Sequence, residues 1–189
     1  MFLKKMEVKN FRLLQDFKLN FKKDLSLVIG KNNCGKTSVI TVLDKMLSSS
    51  KITWEDINLD KQKELYETII NFDYSDSEGI TELEGINLKL FIEYSDEDSY
   101  KNIQKFMMDL NPNNNIIVLE FSLLIPETKV IELKNIIDRK QIEDFISFSK
   151  YISKKFTLFF ELKRYSRGYD VESQRITLDR SEHKVHIIV

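Results

Sequence analysis

Apolar and polar residues alternate from the start of the chain. Phe2, Met6 and Val8 fall on one side of "MFLKKMEVKN", the period-two pattern of a half-buried strand. The alternation returns at Phe17, Leu19 and Phe21, so a second strand is expected after a short bend near residues 11–15. "LSLVI" at 25–29 is short, continuous and apolar, as a strand buried on both faces would be. The period then changes. Val39, Leu43, Met46 and Leu47, with Ile40 adjacent, sit at helical spacing in "KTSVITVLDKML", and residues 48–50 end the helix. The β-branched residues there weaken the local helix preference, but the period outweighs them.

Further along, "WEDINLDKQKELYETIINF" reads as a loop and then a helix, and "NLKLFIEYS" as a strand. "SYKNIQKFMMDL" reads as a short helix with Tyr100, Ile103, Phe106, Met107 and Leu110 on its apolar side. A turn at "NPNN" leads into the strand "NIIVLEFSLLI", stopped by Pro126. "DRKQIEDFISFSKYISKKF" places Ile142, Phe145, Ile146, Ser149 and Ile152 on one side of a helix. "FTLFFELKRYS" and "YDVESQRITL" are expected to be two strands turning at Gly168, and "HKVHIIV" begins another. Helices among strands make this an α/β chain. The 189 residues suffice for one domain, residues 1–50 forming its first part and residues 51–189 its helices and antiparallel strands.

Composition narrows the class. With 42% apolar and 31% charged residues the chain reads as an ordinary globular protein. No apolar run reaches membrane-spanning length, no signal-peptide stretch opens the chain, and its single cysteine cannot staple a fold; a cytoplasmic protein is expected. The net charge of −1 conceals an asymmetry. Residues 1–36 hold nine basic and three acidic residues, which suits an anion; residues 53–100 hold three basic and fourteen acidic, which argues against a uniformly DNA-coating surface. The acidic stretch is expected to be a solvated face.

The chemistry lies between strand and helix. Gly30-Lys31-Asn32-Asn33-Cys34-Gly35-Lys36-Thr37 fits G-x-x-x-x-G-K-[ST], with the buried strand before it and the amphipathic helix after it that a phosphate loop requires. The glycines let backbone N–H groups converge on phosphate oxygens, and the following helix adds its own unpaired N-terminal donors. Lys36 is expected between the β- and γ-phosphates of ATP. The Thr37 hydroxyl is expected on Mg²⁺, and Ser38 near the α-phosphate. Cys34 sits where only a small residue fits and has no partner for redox or metal chemistry.

Two alternating strands ahead of the loop, with "VKNFRLLQDFKLNF" before "LVIGKNNCGKTS", resemble the ABC-type ATPase heads of the SMC and RecF group. The segment is most similar to the N-terminal ATPase domain of the OLD (overcoming lysogenization defect) family, whose members include bacterial anti-phage nucleases. The resemblance is carried by Asn10, Phe11 and Arg12, by Gly30 and Asn32, and by "TWEDINLD". It implies a P-loop NTPase head with antiparallel strands and a mixed sheet, ATP and Mg²⁺ as cofactors, and action on DNA in anti-phage defence or repair. It further implies Arg12 near the α-phosphate or base, Asn32 near the γ-phosphate, and a partner head in a homodimer.

Such heads also need an L-S-G-G-Q-like signature, an apolar strand ending in Asp-Glu and a switch histidine, and the sequence contains none of these. Glu120, followed by Phe121, is the nearest candidate for the acidic strand end and a weak catalytic candidate. Gln174 stands in the wrong place to be the Mg²⁺-contacting glutamine, and His183 and His186 would point to opposite strand faces. The chain therefore reads as the Walker A lobe of a split or truncated head that binds nucleotide and hydrolyses little by itself, its mechanism completed by the remainder of the head or a partner chain. The alternative is a nucleotide-responsive interaction module without turnover. A small-molecule kinase is disfavoured by the two preceding strands. Lys4, Lys5, Lys9, Lys18, Lys22 and Lys23 would give DNA a modest patch of backbone contacts at most.

Overall fold

A computed structural model describes residues 1–24, 35–48, 51–72, 82–95, 97–109, 111 and 113–182. The alternation at the N-terminus forms β1 (Phe2–Phe11) and β2 (Leu14–Asn20), an antiparallel pair. Met6 and Val8 are fully buried, while Phe17 and Leu19 pack beside them. Leu3, rather than Phe2, joins that core, because the pairing of β1 with the next strand shifts register between Leu3 and Lys5. A shift of one residue exchanges the two faces of a strand.

Helix α1 (Lys36–Leu47) follows, burying Ser38, Val39, Val42 and Met46. Val42 takes the core position, and Ile40 is 72% exposed. A 3-10 turn at Trp54–Asp56 leads to α2 (Leu59–Ile70), whose N-cap Asn58 accepts from the Asp60 N–H at 3.0 Å. Then come β3 (Leu83–Glu93), a single helical turn α3 (Tyr100–Ile103), and β4 (Ile116–Ile125). The last elements are α4 (Glu127–Lys140), α5 (Phe145–Phe159), β5 (Glu161–Asp170) and β6 (Arg175–Glu182).

The strands form one six-stranded sheet in the order β2-β1-β3-β4-β5-β6, with every neighbour antiparallel. No parallel pair occurs among the described residues; the expected strand at 25–29, which would make the sheet mixed, and that at 183–189 lie outside them. β4 is central and buried along its whole length. Its Ile117, Leu119, Phe121 and Leu123 join α1, α2, α4 and α5 in one hydrophobic cluster that also takes in Met6, Val8 and Trp54. Residues on both sides of position 50 share this core, so packing draws no boundary there.

Three expectations are corrected. The helix expected across 138–156 is the end of α4 and most of α5, separated where Gln141 turns left-handed at φ 51° and Asp144 caps α5 by accepting from the Ser147 N–H at 2.9 Å. The inward face of α5 is Phe148, Ile152, Phe156 and Phe159, and Ile146 is 77% exposed. "FTLF" completes α5, Phe160 is its extended C-cap, and Gly168 lies within β5, where the pairing with β6 shifts register between Arg167 and Tyr169; the turn is at 171–174. Glycine is common at strand irregularities as well as in turns, so the two read alike in sequence.

Candidate nucleotide site

The start of α1 is set by Gly35. Its φ of +87° is left-handed, a conformation that costs an L-residue about 1–2 kcal/mol. It also touches the turn between β1 and β2: an added Cβ would lie 3.1 Å from Leu14 Cδ2 and 3.8 Å from Leu13 Cβ. Glycine is thus favoured here by its left-handed conformation, and a Cβ would sit tightly against Leu14. As the N-cap it brings no side-chain acceptor, and the first turn of α1 contains no acidic residue. Lys36 is half-buried, Thr37 exposed and Ser38 buried. Val39 N–H reaches Gly35 O at 3.2 Å, closing the first helical turn. Gly30, Lys31, Asn32, Asn33 and Cys34 lie outside the described residues.

The same β1–β2 turn carries Arg12. Two residues here, Asn10 at φ 60° and Arg12 at φ 49°, hold left-handed backbone without being glycine, a strain of order 1–3 kcal/mol each. The segment 53–58 holds the turn in that shape. Arg12 N–H donates to Asp56 O at 2.8 Å, Asn58 N–H to Asn10 O at 2.8 Å, and Asn58 Nδ2 to Arg12 O at 2.6 Å. Phe11, fully buried, bridges to Ile57.

Asp56 binds the pieces together. Oδ1 accepts Arg12 Nε at 3.0 Å and Nη2 at 2.8 Å; Oδ2 accepts Lys45 Nζ at 2.6 Å and the Thr53 N–H at 2.9 Å. The Asp56 side chain is 1% exposed and that of Arg12 38%. Burial pushes the Asp56 pKa up, but the bonds from Lys45, Thr53 and Arg12 outweigh it and hold the carboxyl below the usual aspartate range. Gln62 Nε2 braces the segment from α2, donating to Trp54 O at 3.0 Å and Ile57 O at 2.8 Å. The site therefore joins Arg12 and the head of α1 through Leu13, Leu14 and Gly35, and Arg12 and the tail of α1 through Asp56 and Lys45.

Glu120 is not part of this assembly. Leu119 and Phe121 face the core that contains α1, so Glu120 faces the other side of the sheet. There it accepts from Asn87 Nδ2 at 2.8 Å and lies 3.4 Å from Lys89 Nζ and 3.2 Å from Arg167 Nε. Its carboxylate is thus enclosed by Asn87, Lys89 and Arg167 on the face away from α1. Gln174 closes the β5–β6 turn at φ 54°, and His183 and His186 lie outside the described residues. The N-terminal lysines are interleaved with acids: Lys4 with Glu93 at 2.6 Å, Lys5 with Glu7 at 2.6 Å, and Lys23 with Glu93 at 3.8 Å. They make no purely basic surface.

Arg12 and the loop are expected from the sequence, whereas the roles of Asp56 and Asn58 are not. The acidic segment 53–100, expected as a solvated face, contains the most enclosed carboxylate of the site. The available signal was Thr53 followed three residues later by Asp56, the spacing of a capping box.

Residues 1–187 match the AAA ATPase domain family, and the chain belongs to it. Membership implies a P-loop NTPase fold and nucleotide binding. The chain is also 31% identical over 144 residues to endonuclease GajA of Bacillus cereus (strain HuB5-5). The aligned part is 71% of this chain and 21% of that protein, so the chain spans about a fifth of its relative's length. Among the described residues, no helix is long and apolar enough to cross a membrane.

Proposed function

We propose that the chain is the ATP-binding lobe of an OLD- or RecF-like ATPase that acts on DNA, in anti-phage defence or repair. The observation that carries this reading is Gly35, left-handed and pressed against Leu14, at the head of a helix that opens Lys36-Thr37-Ser38. A Cβ there would crowd Leu14, and the left-handed glycine backbone suits a turn that directs N–H groups at a phosphate. Residues 30–36 would hold the phosphates, with Lys36 supplying the point charge. Thr37, exposed at the helix start, would ligate Mg²⁺, and Ser38 and Arg12 would serve the α-phosphate end. Bound Mg²⁺ neutralises phosphate charge when turnover occurs.

Turnover needs a residue that orients the attacking water, and Glu120, the candidate among the described residues, faces away from α1. The lobe is therefore assigned binding, with hydrolysis completed by a further segment or a second head in a dimer. The relative's printed name, an endonuclease, supports a nucleic acid as the target. The enclosure of Glu120 also supports the second reading, a nucleotide-responsive module that signals to a partner without turnover. Phosphate release from Mg-ATP, followed with and without duplex DNA, separates the two. DNA-stimulated turnover lost in Lys36→Ala supports the ATPase; ATP binding with no turnover, even after the partner segment is added, supports the switch.

A further inference from the structure

Asp56 lies outside the motif that defines the nucleotide site, yet it is the residue on which that site's surroundings converge. We propose that Asp56 is a positioning residue for nucleotide binding: it grips Arg12 side-on, so that the Nη1 edge of the guanidinium is presented to a bound phosphate. The inference rests on the reading of the loop as an ATP site.

Three observations carry it. First, the turn bearing Arg12 touches the loop's last glycine, since Leu13 Cβ and Leu14 Cδ2 lie 3.8 and 3.1 Å from where a Gly35 Cβ would be. Second, both bonds from Arg12 run to one oxygen, Asp56 Oδ1, through Nε and Nη2. This leaves Nη1 outside the ion pair, on a side chain still 38% exposed. Planar N–H pairs of this kind suit phosphate oxygens. Third, Lys45 donates to the other oxygen at 2.6 Å. One carboxylate shared by two cations leaves a net positive charge, so the cluster still attracts an anion. An Arg–Asp pair alone would be neutral. Lys45 belongs to the last turn of α1, so Asp56 also fixes Arg12 relative to the helix that starts at the phosphate loop.

A simple fold-locking ion pair would show the same distances, so the test needs a readout that stability does not move. Mg-ATP affinity is measured for the wild-type chain, Arg12→Ala, Asp56→Asn and the double variant, each with and without a few millimolar guanidinium chloride against equal sodium chloride. Arg12→Ala and Asp56→Asn are each expected to weaken ATP roughly ten-fold, with the double variant little weaker than either. Guanidinium should restore affinity in Arg12→Ala and fail to do so in the double variant, which lacks the carboxylate that seats it. If Asp56→Asn does not fold, Arg12→Lys decides: charge without the planar fork should leave affinity low.

Wild-type affinity in folded Asp56→Asn, equal rescue with and without Asp56, or full affinity in Arg12→Lys would overturn the proposal. So would wild-type affinity in Arg12→Ala; if Lys36→Ala still abolishes binding, the ATP reading survives that loss. A wild-type chain that binds no Mg-ATP ends both.

Discussion

Gly35 and Leu14 are in contact across the start of α1, with only 3.1 Å between Leu14 Cδ2 and the place a Gly35 Cβ would take. Alanine at position 35 meets this side chain and must also hold φ near +87°. The left-handed backbone alone costs about 1–2 kcal/mol. Gly35→Ala is therefore expected to lower the melting temperature by several degrees and to weaken ATP binding more than its stability loss explains. Thermal melts beside ATP titrations check this; an unchanged melting temperature would contradict the geometry.

Asp56 predicts a pH dependence. Its folded pKa lies below the usual aspartate range because bonds from Lys45, Thr53 and Arg12 outweigh its burial. A depressed carboxylate contributes stability that is complete above the unfolded pKa and is lost as pH falls through the folded one. The wild-type chain should therefore lose stability progressively below about pH 4. Asp56→Asn should be less stable at neutral pH and show a shallower acid decline. Denaturant midpoints measured from pH 7 to pH 2.5 decide; parallel curves for the two proteins would rule Asp56 out as the source.

Glu120 is expected to matter for stability and not for nucleotide. It lies between Lys89, Arg167 and Asn87 on the sheet face away from α1. Glu120→Ala leaves two cations without their counter-ion, and removal of one partner from a buried pair costs on the order of 3 kcal/mol. The milder Glu120→Gln should keep the Asn87 contact and wild-type ATP affinity. Reduced turnover in Glu120→Gln with an unaltered melt would instead return it to the chemistry.

Trp54 is the chain's one tryptophan and reports on the joint between the site and α5. It is 2% exposed, lies edge-on to Phe148 with centroids 5.9 Å apart, and donates from Nε1 to Ser149 Oγ at 2.7 Å. Ser149→Ala leaves that donor unpaired, at a cost of about 1–3 kcal/mol. The expected result is a red-shifted, less cooperative fluorescence unfolding curve with a lower midpoint. A midpoint equal to wild type would mean that water satisfies the indole.

Local pattern carried the parts of the fold that depend on neighbours in sequence. β1, β2, α1 and the buried strand β4 follow from period and composition, and Gly35-Lys36-Thr37 from its motif. α4 has its signal in the sequence as well. Pro126 does stop β4, but it also stands at the N-cap of the next helix, and Val130, Leu133 and Ile137 repeat at helical spacing. The break at Gln141 gave no such sign, since a left-handed glutamine has no strong residue signature. Asp56 was hidden for another reason. Its partners Arg12 and Lys45 are 44 and 11 residues away, and only the packing of the β1–β2 turn against segment 53–58 brings them together. The place of Glu120 is not legible in sequence, because a strand-end acid and a mid-sheet acid look the same until the pairing with Lys89 is known.

The central claim is that Gly35, Lys36 and the Arg12 turn belong to one ATP site. Calorimetric titration of Mg-ATP into the wild-type chain and into Lys36→Ala tests it most directly. The account expects one site per chain in the wild type and no measurable heat of binding in a folded Lys36→Ala. Equal binding by both proteins would contradict it.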